Sequence, residues 1–177
     1  MKTLKKIFLC AIALFGAASV ISCSGDNKMI GKWESSSPAS VFPTIPGTVS
    51  STSMTTIEFI KGADSKSGPV KLTTVYEMTL PADSTGVSTV STVNASIDGT
   101  WTRDEKNDDG YYISFDKNSL SVNAINAPEL GPVTDTFMRS LARYTQIDDV
   151  EVNKAKNILT FEDMADSSYV MSRVSDN

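Results

Sequence analysis

Between Val87 and Trp101 the chain alternates with period two. Val87, Thr89, Ser91, Val93, Ala95, Ile97, Gly99 and Trp101 share one face, while Ser88, Thr92, Asn94, Ser96, Asp98 and Thr100 share the other. Successive side chains of a strand point to opposite sides, so this run reads as a long half-buried strand with a bend at Gly99. Val70, Leu72, Tyr76, Met78 and Leu80 alternate in the same way against Lys71, Thr73, Glu77 and Thr79. Shorter segments at 30–35, 55–61, 111–116, 119–125, 147–152, 157–163 and 168–174 bring the total to eight or nine strands. Turn residues separate them at 61–69, 81–86, 104–110, 116–118 and 164–167, the pattern of hairpins in an antiparallel meander. Closing the meander on itself removes the two free edges that would invite aggregation. The expected fold is therefore all-β, an antiparallel up-and-down β-barrel of about eight strands. Two segments stand outside the alternation. Ser36 to Ser53 is rich in Ser, Thr and Pro and is expected as a long irregular loop. Pro132 to Gln146, with Phe137, Leu141 and Tyr144 on one stripe, is expected as one short helix covering a barrel end.

The amino terminus is an address rather than a structural element. Lys2, Lys5 and Lys6 precede an apolar run from Ile7 to Ile21, the layout of a secretory signal. The run is short for a permanent span, which needs about 20 apolar residues. Val20-Ile21-Ser22-Cys23 resembles the lipobox of bacterial lipoproteins, in which the cysteine is acylated and becomes the new first residue. The competing cleavage after Ala17-Ala18-Ser19 would leave Cys23 as an unpaired thiol in an oxidising compartment. The organisation expected is a signal at 1–22, a lipidated tether at 23–29 and a barrel domain at 30–177. One acyl chain holds a protein only marginally on a membrane, whereas two or three anchor it stably. By the same resemblance Ser24 implies the outer membrane of the cell envelope, and Ser24-Gly25-Asp26-Asn27 is similar to a surface-export signal of Bacteroidetes lipoproteins. Which membrane face the domain occupies stays open.

Composition removes much chemistry. The chain has no His, and its two Cys are Cys10 and Cys23, so histidine catalysis, histidine metal sites and a CxxC motif in the mature domain are absent. Loss of residues 1–22 takes away three Lys and no acid, moving the formal charge from -5 to -8 and arguing against a nucleic-acid partner. Glu105 to Gly110 with Asp116 imitates a calcium loop, but its first and last ligand types are exchanged and a strand follows it. A solvated hairpin is the better reading, and no metal or cofactor is expected. Ser114 to Lys117 has the Ser-x-x-Lys spacing of serine acyl-enzymes without its helical context, so no catalytic residue is assigned and the chain is not read as an enzyme. Asp83-Ser84-Thr85 resembles an O-glycosylation acceptor of Bacteroidetes, although turns carry such triplets routinely.

Gly31-Lys32-Trp33 opens the first strand, Arg173 stands in the last, and a second Gly-x-Trp recurs at Gly99-Thr100-Trp101. With these residues the chain resembles the lipocalin-like lipoproteins of Bacteroidetes in the calycin superfamily. The resemblance implies a barrel closed at one end by Gly31 and Trp33, with Arg173 packed on the indole in a structural role. It also implies a binding module for a small apolar ligand or a glycan fragment. An eight-stranded barrel is just wide enough to be filled by its own side chains or to hold one small ligand. The candidate lining residues are Tyr76, Met78, Ser91, Trp101, Tyr111 and Phe115, the tyrosines supplying polar handles. The alternative is a solid barrel that engages another envelope protein through its outer surface.

Overall fold

The computed structural model describes residues 28–38, 50–126, 138–139 and 141–175. The signal at 1–22, Cys23 and most of the tether lie outside them, as does most of the expected helix at 132–146. Nine strands follow one another: β1 (Gly31–Pro38), β2 (Ser50–Phe59), β3 (Ser67–Thr79), β4 (Val90–Arg103), β5 (Tyr111–Phe115), β6 (Ser121–Ile125), β7 (Gln146–Val152), β8 (Ile158–Asp163) and β9 (Ser168–Arg173). Every pairing is antiparallel, and spatial order follows chain order around a ring that closes through β1 and β9. The ring has eight places because β5 and β6 share one. The fold is a closed eight-stranded antiparallel up-and-down barrel.

The shared place corrects one expected hairpin. Asp116-Lys117-Asn118 does not reverse the chain. Gly99 to Arg103 of β4 pairs with β5, Thr92 to Ser96 of the same edge pairs with β6, and both run in the same direction. Between them lies a 3-10 turn, Lys117–Ser119, capped by Asp116, whose carboxylate accepts from Asn118 N at 2.9 Å. Ser119 Oγ accepts from Asp98 N at 2.8 Å, tying the excursion back to β4. At this splice the backbones approach closely. A Cβ on Gly99 would stand 2.5 Å from Ser114 O, which explains the missing side chain.

Carried along the ladders, the register returns to β1 displaced by about a dozen residues, a stagger that tilts the strands by roughly 46° and puts the backbone ~9 Å from the axis. That radius admits one layer of large side chains meeting across the axis, or short side chains around a small molecule. The start of β1 and the turns after β2, β4 and β7 form one end, hereafter the floor. The turns after β3 and β8 form the other, the mouth.

Two further expectations need correction. The loop predicted from Ser36 to Ser53 is shorter, because Ser36, Ser37 and Pro38 pair with Met54, Ser53 and Thr52. Ser and Thr accept a pleated backbone as readily as a loop. Pro38 ends β1 beyond the point where its pairing with β9 stops, a position that tolerates a missing N–H. Val87 and Thr89 do not belong to the strand and are exposed. Asp83 instead organises that turn, accepting from Thr85 N at 2.8 Å and Val87 N at 3.2 Å. Of the expected helix, the described Met138, Arg139 and Leu141 are helical, and Ala142–Tyr144 follow as a 3-10 turn.

Candidate functional site: two halves of one barrel interior

The inward faces of the strands are occupied differently at the two ends. In the floor half, Trp33, Phe59, Ile57, Leu72, Ile97, Trp101, Ile147, Leu159 and Phe161 are all buried to 1 % exposure or less. Each such side chain contributes roughly 1.5–3 kcal/mol by leaving water, so this is where the fold is held. Met29, fully buried, lies under Trp33, whose indole Nε1 donates to Met29 O at 2.7 Å. Arg173 pairs with Trp33 across the β1–β9 ladder, and its guanidinium carbon stands 4.2 Å from the centre of the indole. Its Nη1 also donates to Ile30 O at 3.3 Å and its Nε to Lys156 O. Gly31 has φ +133, and a Cβ there would collide with Arg173 Nη1, so both its backbone and its neighbour require glycine.

Trp101 repeats the device on the other side of the floor. Its Nε1 donates to Ile60 O at 2.9 Å, and its ring meets Tyr111 edge-on at 6.0 Å. Burial pushes the Tyr111 hydroxyl above the ordinary tyrosine range, with Arg103 and Lys28 opposing. Phe115 stands opposite Gly99, partly buried against the same core. Trp101, Tyr111 and Phe115 thus lie together in the packed floor half.

Tyr76, Met78 and Ser91 lie in the mouth half, so the six candidate lining residues divide between the two ends rather than converging. Around them the wall mixes short side chains with Val93, which is fully buried opposite Tyr76. Ser53, Thr74, Ser91 and Ala95 are buried on the adjacent strands β2, β3 and β4, in register with one another or with Tyr76 and Met78. Ser91 Oγ donates to Asn126 O at 2.7 Å. From the floor half, Phe161 continues into an aromatic group with Tyr169 and Tyr144. Phe161 and Tyr169 stack at 5.2 Å with rings 16° apart, and Tyr144 packs on them at 6.3 and 5.6 Å. Burial drives the Tyr144 hydroxyl far above its usual range, and both Tyr169 and Tyr76 act on it electrostatically.

Asp163 anchors the group. Burial alone would raise its carboxyl, but Ala165 N at 2.8 Å, Ser167 N at 3.0 Å and Tyr169 Oη at 2.9 Å all donate to it and hold it below the ordinary carboxylate value. The same bond, after burial, raises Tyr169, with Arg143 opposing. The readable signal for the pair Phe161–Tyr169 was the tight turn at 163–168, which fixes them opposite each other.

Outside the barrel, a groove of ≈ 270 Å³ is lined by Glu34, Ser35, Met54, Val170 and Ser172. It opens where the β1–β9 ladder ends at Glu34 and Ser172. The calcium-like loop spends its carboxylates locally. Asp109 accepts from Lys28 at 2.9 Å, Asp108 pairs with Arg103 at 3.1 Å, and Asp104 accepts from Lys106 N and Tyr112 Oη. Among the described residues no group of three or more carboxylates and thiolates is placed to hold a metal ion. The chain matches no family model, and no curated protein matches it.

Proposed function

We propose that the mature domain is a lipid-tethered envelope lipoprotein of lipocalin-like type whose barrel takes one small ligand, apolar in body with a polar end, in the mouth half. The observation that carries this reading is the contrast along the barrel axis. A floor packed by two tryptophans and two phenylalanines gives way to a wall in which Ser53, Thr74, Ser91 and Ala95 stand beside Tyr76, while Tyr144 and Tyr169 pack on each other. A ligand of this kind would lie along the axis beside the short side chains, with its polar group on the tyrosine hydroxyls and its apolar part against the rings. Anchoring would be through acylated Cys23, in line with the lipobox-like residues before it. A nucleic-acid ligand is disfavoured by the formal charge of -8 that remains once residues 1–22 are removed.

The test is mass spectrometry of the full chain extracted from its membrane. The expected result is a diacylated or triacylated amino-terminal Cys23 together with a stoichiometric lipid-soluble molecule or glycan fragment released on denaturation. An acylated chain that carries nothing, and takes up nothing from a lipid extract, would overturn carriage. A second reading rests on the outer groove, where Met54 and Val170 are 43 % and 54 % exposed beside a strand edge. On that reading the barrel is solid, and a protein partner covers the groove.

A further inference from the structure

The floor carries more than the closure of the barrel. We infer that the floor end lies against the membrane and contacts anionic lipid headgroups, so that the mouth faces away from the bilayer. This inference rests on the reading of Cys23 as the lipid anchor. The chain is already fixed at Lys28, whose Nζ reaches Asp109 at 2.9 Å and Val150 O at 3.5 Å, and at the fully buried Met29. Five residue steps separate Lys28 from Cys23, a reach of at most ~18 Å for extended chain. β3 alone has 13 residues, so at ~3.3 Å per residue and the tilt above the mouth stands roughly 30 Å from the floor. An anchor on so short a leash reaches the floor side and not the mouth.

Charge on that end favours the same partner. The exposed Lys32, Lys61, Lys154 and Lys156 flank Arg173 along the arc of the floor formed by the β7–β8 turn, β9, β1 and the β2–β3 turn. Asp64 in the β2–β3 turn has its carboxylate turned into its own loop, accepting from Lys66 N at 2.9 Å and Ser67 N at 2.8 Å, while Glu58 stands opposite Lys32 and Glu151 lies just before the β7–β8 turn. The carboxylates of the β4–β5 turn lie on the remaining side, where Asp108 and Asp109 are engaged by Arg103 and Lys28. In a domain that is acidic as a whole, a lysine arc beside the point where the tether enters is complementary to phosphate headgroups, and cations held within a Debye length of such a surface are attracted to it. A ligand would then enter and leave through the aqueous side, by way of a soluble carrier or a partner, not directly from the anchoring leaflet.

The test places the acylated full chain in phosphatidylcholine vesicles with and without phosphatidylglycerol, with one fluorophore on Ala63→Cys at the floor or on Ser84→Cys at the mouth, and a quencher in the lipid headgroups. The expected result is several-fold stronger quenching at the floor, rising further with phosphatidylglycerol. Charge reversal by Lys61→Glu, Lys154→Glu and Lys156→Glu together should bring floor quenching down to the level on phosphatidylcholine. Equal quenching at both sites, or stronger quenching at the mouth, overturns the orientation. Floor quenching indifferent both to lipid charge and to the reversal overturns the headgroup contact. The amino-terminal mass separates these failures from that of the anchor itself, since a chain without acyl groups removes the premise and the inference with it.

Discussion

Gly31 and Arg173 should behave as one unit. Gly31→Ala puts a side chain on a residue at φ +133 and drives it into the Arg173 guanidinium. The backbone strain costs about 1–3 kcal/mol. Displacing the guanidinium also forfeits its place 4.2 Å over Trp33, a further ~0.5–2 kcal/mol, together with its bond to Ile30 O. Arg173→Ala alone loses the cation–π contact and the charged hydrogen bonds to Ile30 O and Lys156 O, about 2–4 kcal/mol in all at a partly exposed site. The guanidinium can be displaced only once. The double variant should therefore be less destabilised than the sum of the singles by roughly 1–2 kcal/mol. Urea denaturation of the mature domain followed by tryptophan fluorescence measures all three. Additivity within about 0.5 kcal/mol would refute the claim that Gly31 is glycine to seat Arg173.

Trp101→Phe removes the donor to Ile60 O and part of a fully buried ring, and should cost about 2–4 kcal/mol in the same assay, with Tyr112→Phe on the exposed face of the same ladder nearly silent. Asp163 titrates below its ordinary value when folded, so its stabilisation is fully present above about pH 4 and is lost as pH falls through the folded value. Asp163→Asn should accordingly flatten the fall of the urea midpoint on acidification, while an unchanged slope would contradict the hydrogen bonds assigned to it. Tyr144 is raised, so the unfolded chain ionises first and stability declines as pH climbs above about 10. Absorbance titration of the folded domain should show its hydroxyl ionising only after that of the exposed Tyr112, and Tyr144→Phe should remove that late step.

Much of the barrel was legible because its strands are half buried. Alternation at 70–80 and 91–101 fixed the inward set Leu72, Tyr76, Met78, Val93, Ala95, Ile97 and Trp101, and all of these are buried. Ladder partners were less legible. Asp116-Lys117-Asn118 reads alike for a reversal and for an excursion, and only the continued pairing along one edge of β4 distinguishes the two. The Ser36–Ser53 stretch misled because serine and threonine occupy pleated and irregular backbone about equally well. Depth inside the barrel was not legible at all. Alternation assigns a face to Trp101 and to Tyr76, but how far each lies from the floor follows from the stagger of the whole ring. Nor does alternation show that Tyr144, a residue of a short 3-10 turn, packs on Phe161 and Tyr169 of β8 and β9.

The central claim, a closed floor beneath a ligand-binding mouth half, is tested most directly by titrating the domain with N-phenyl-1-naphthylamine, a neutral apolar fluorophore. The predicted result is saturable enhancement at one site per chain that is abolished by Ser91→Trp, which fills the mouth half, and retained by Trp101→Phe in the floor, with both variants folded by near-ultraviolet circular dichroism. Absence of saturable binding, or binding indifferent to Ser91→Trp, would contradict it.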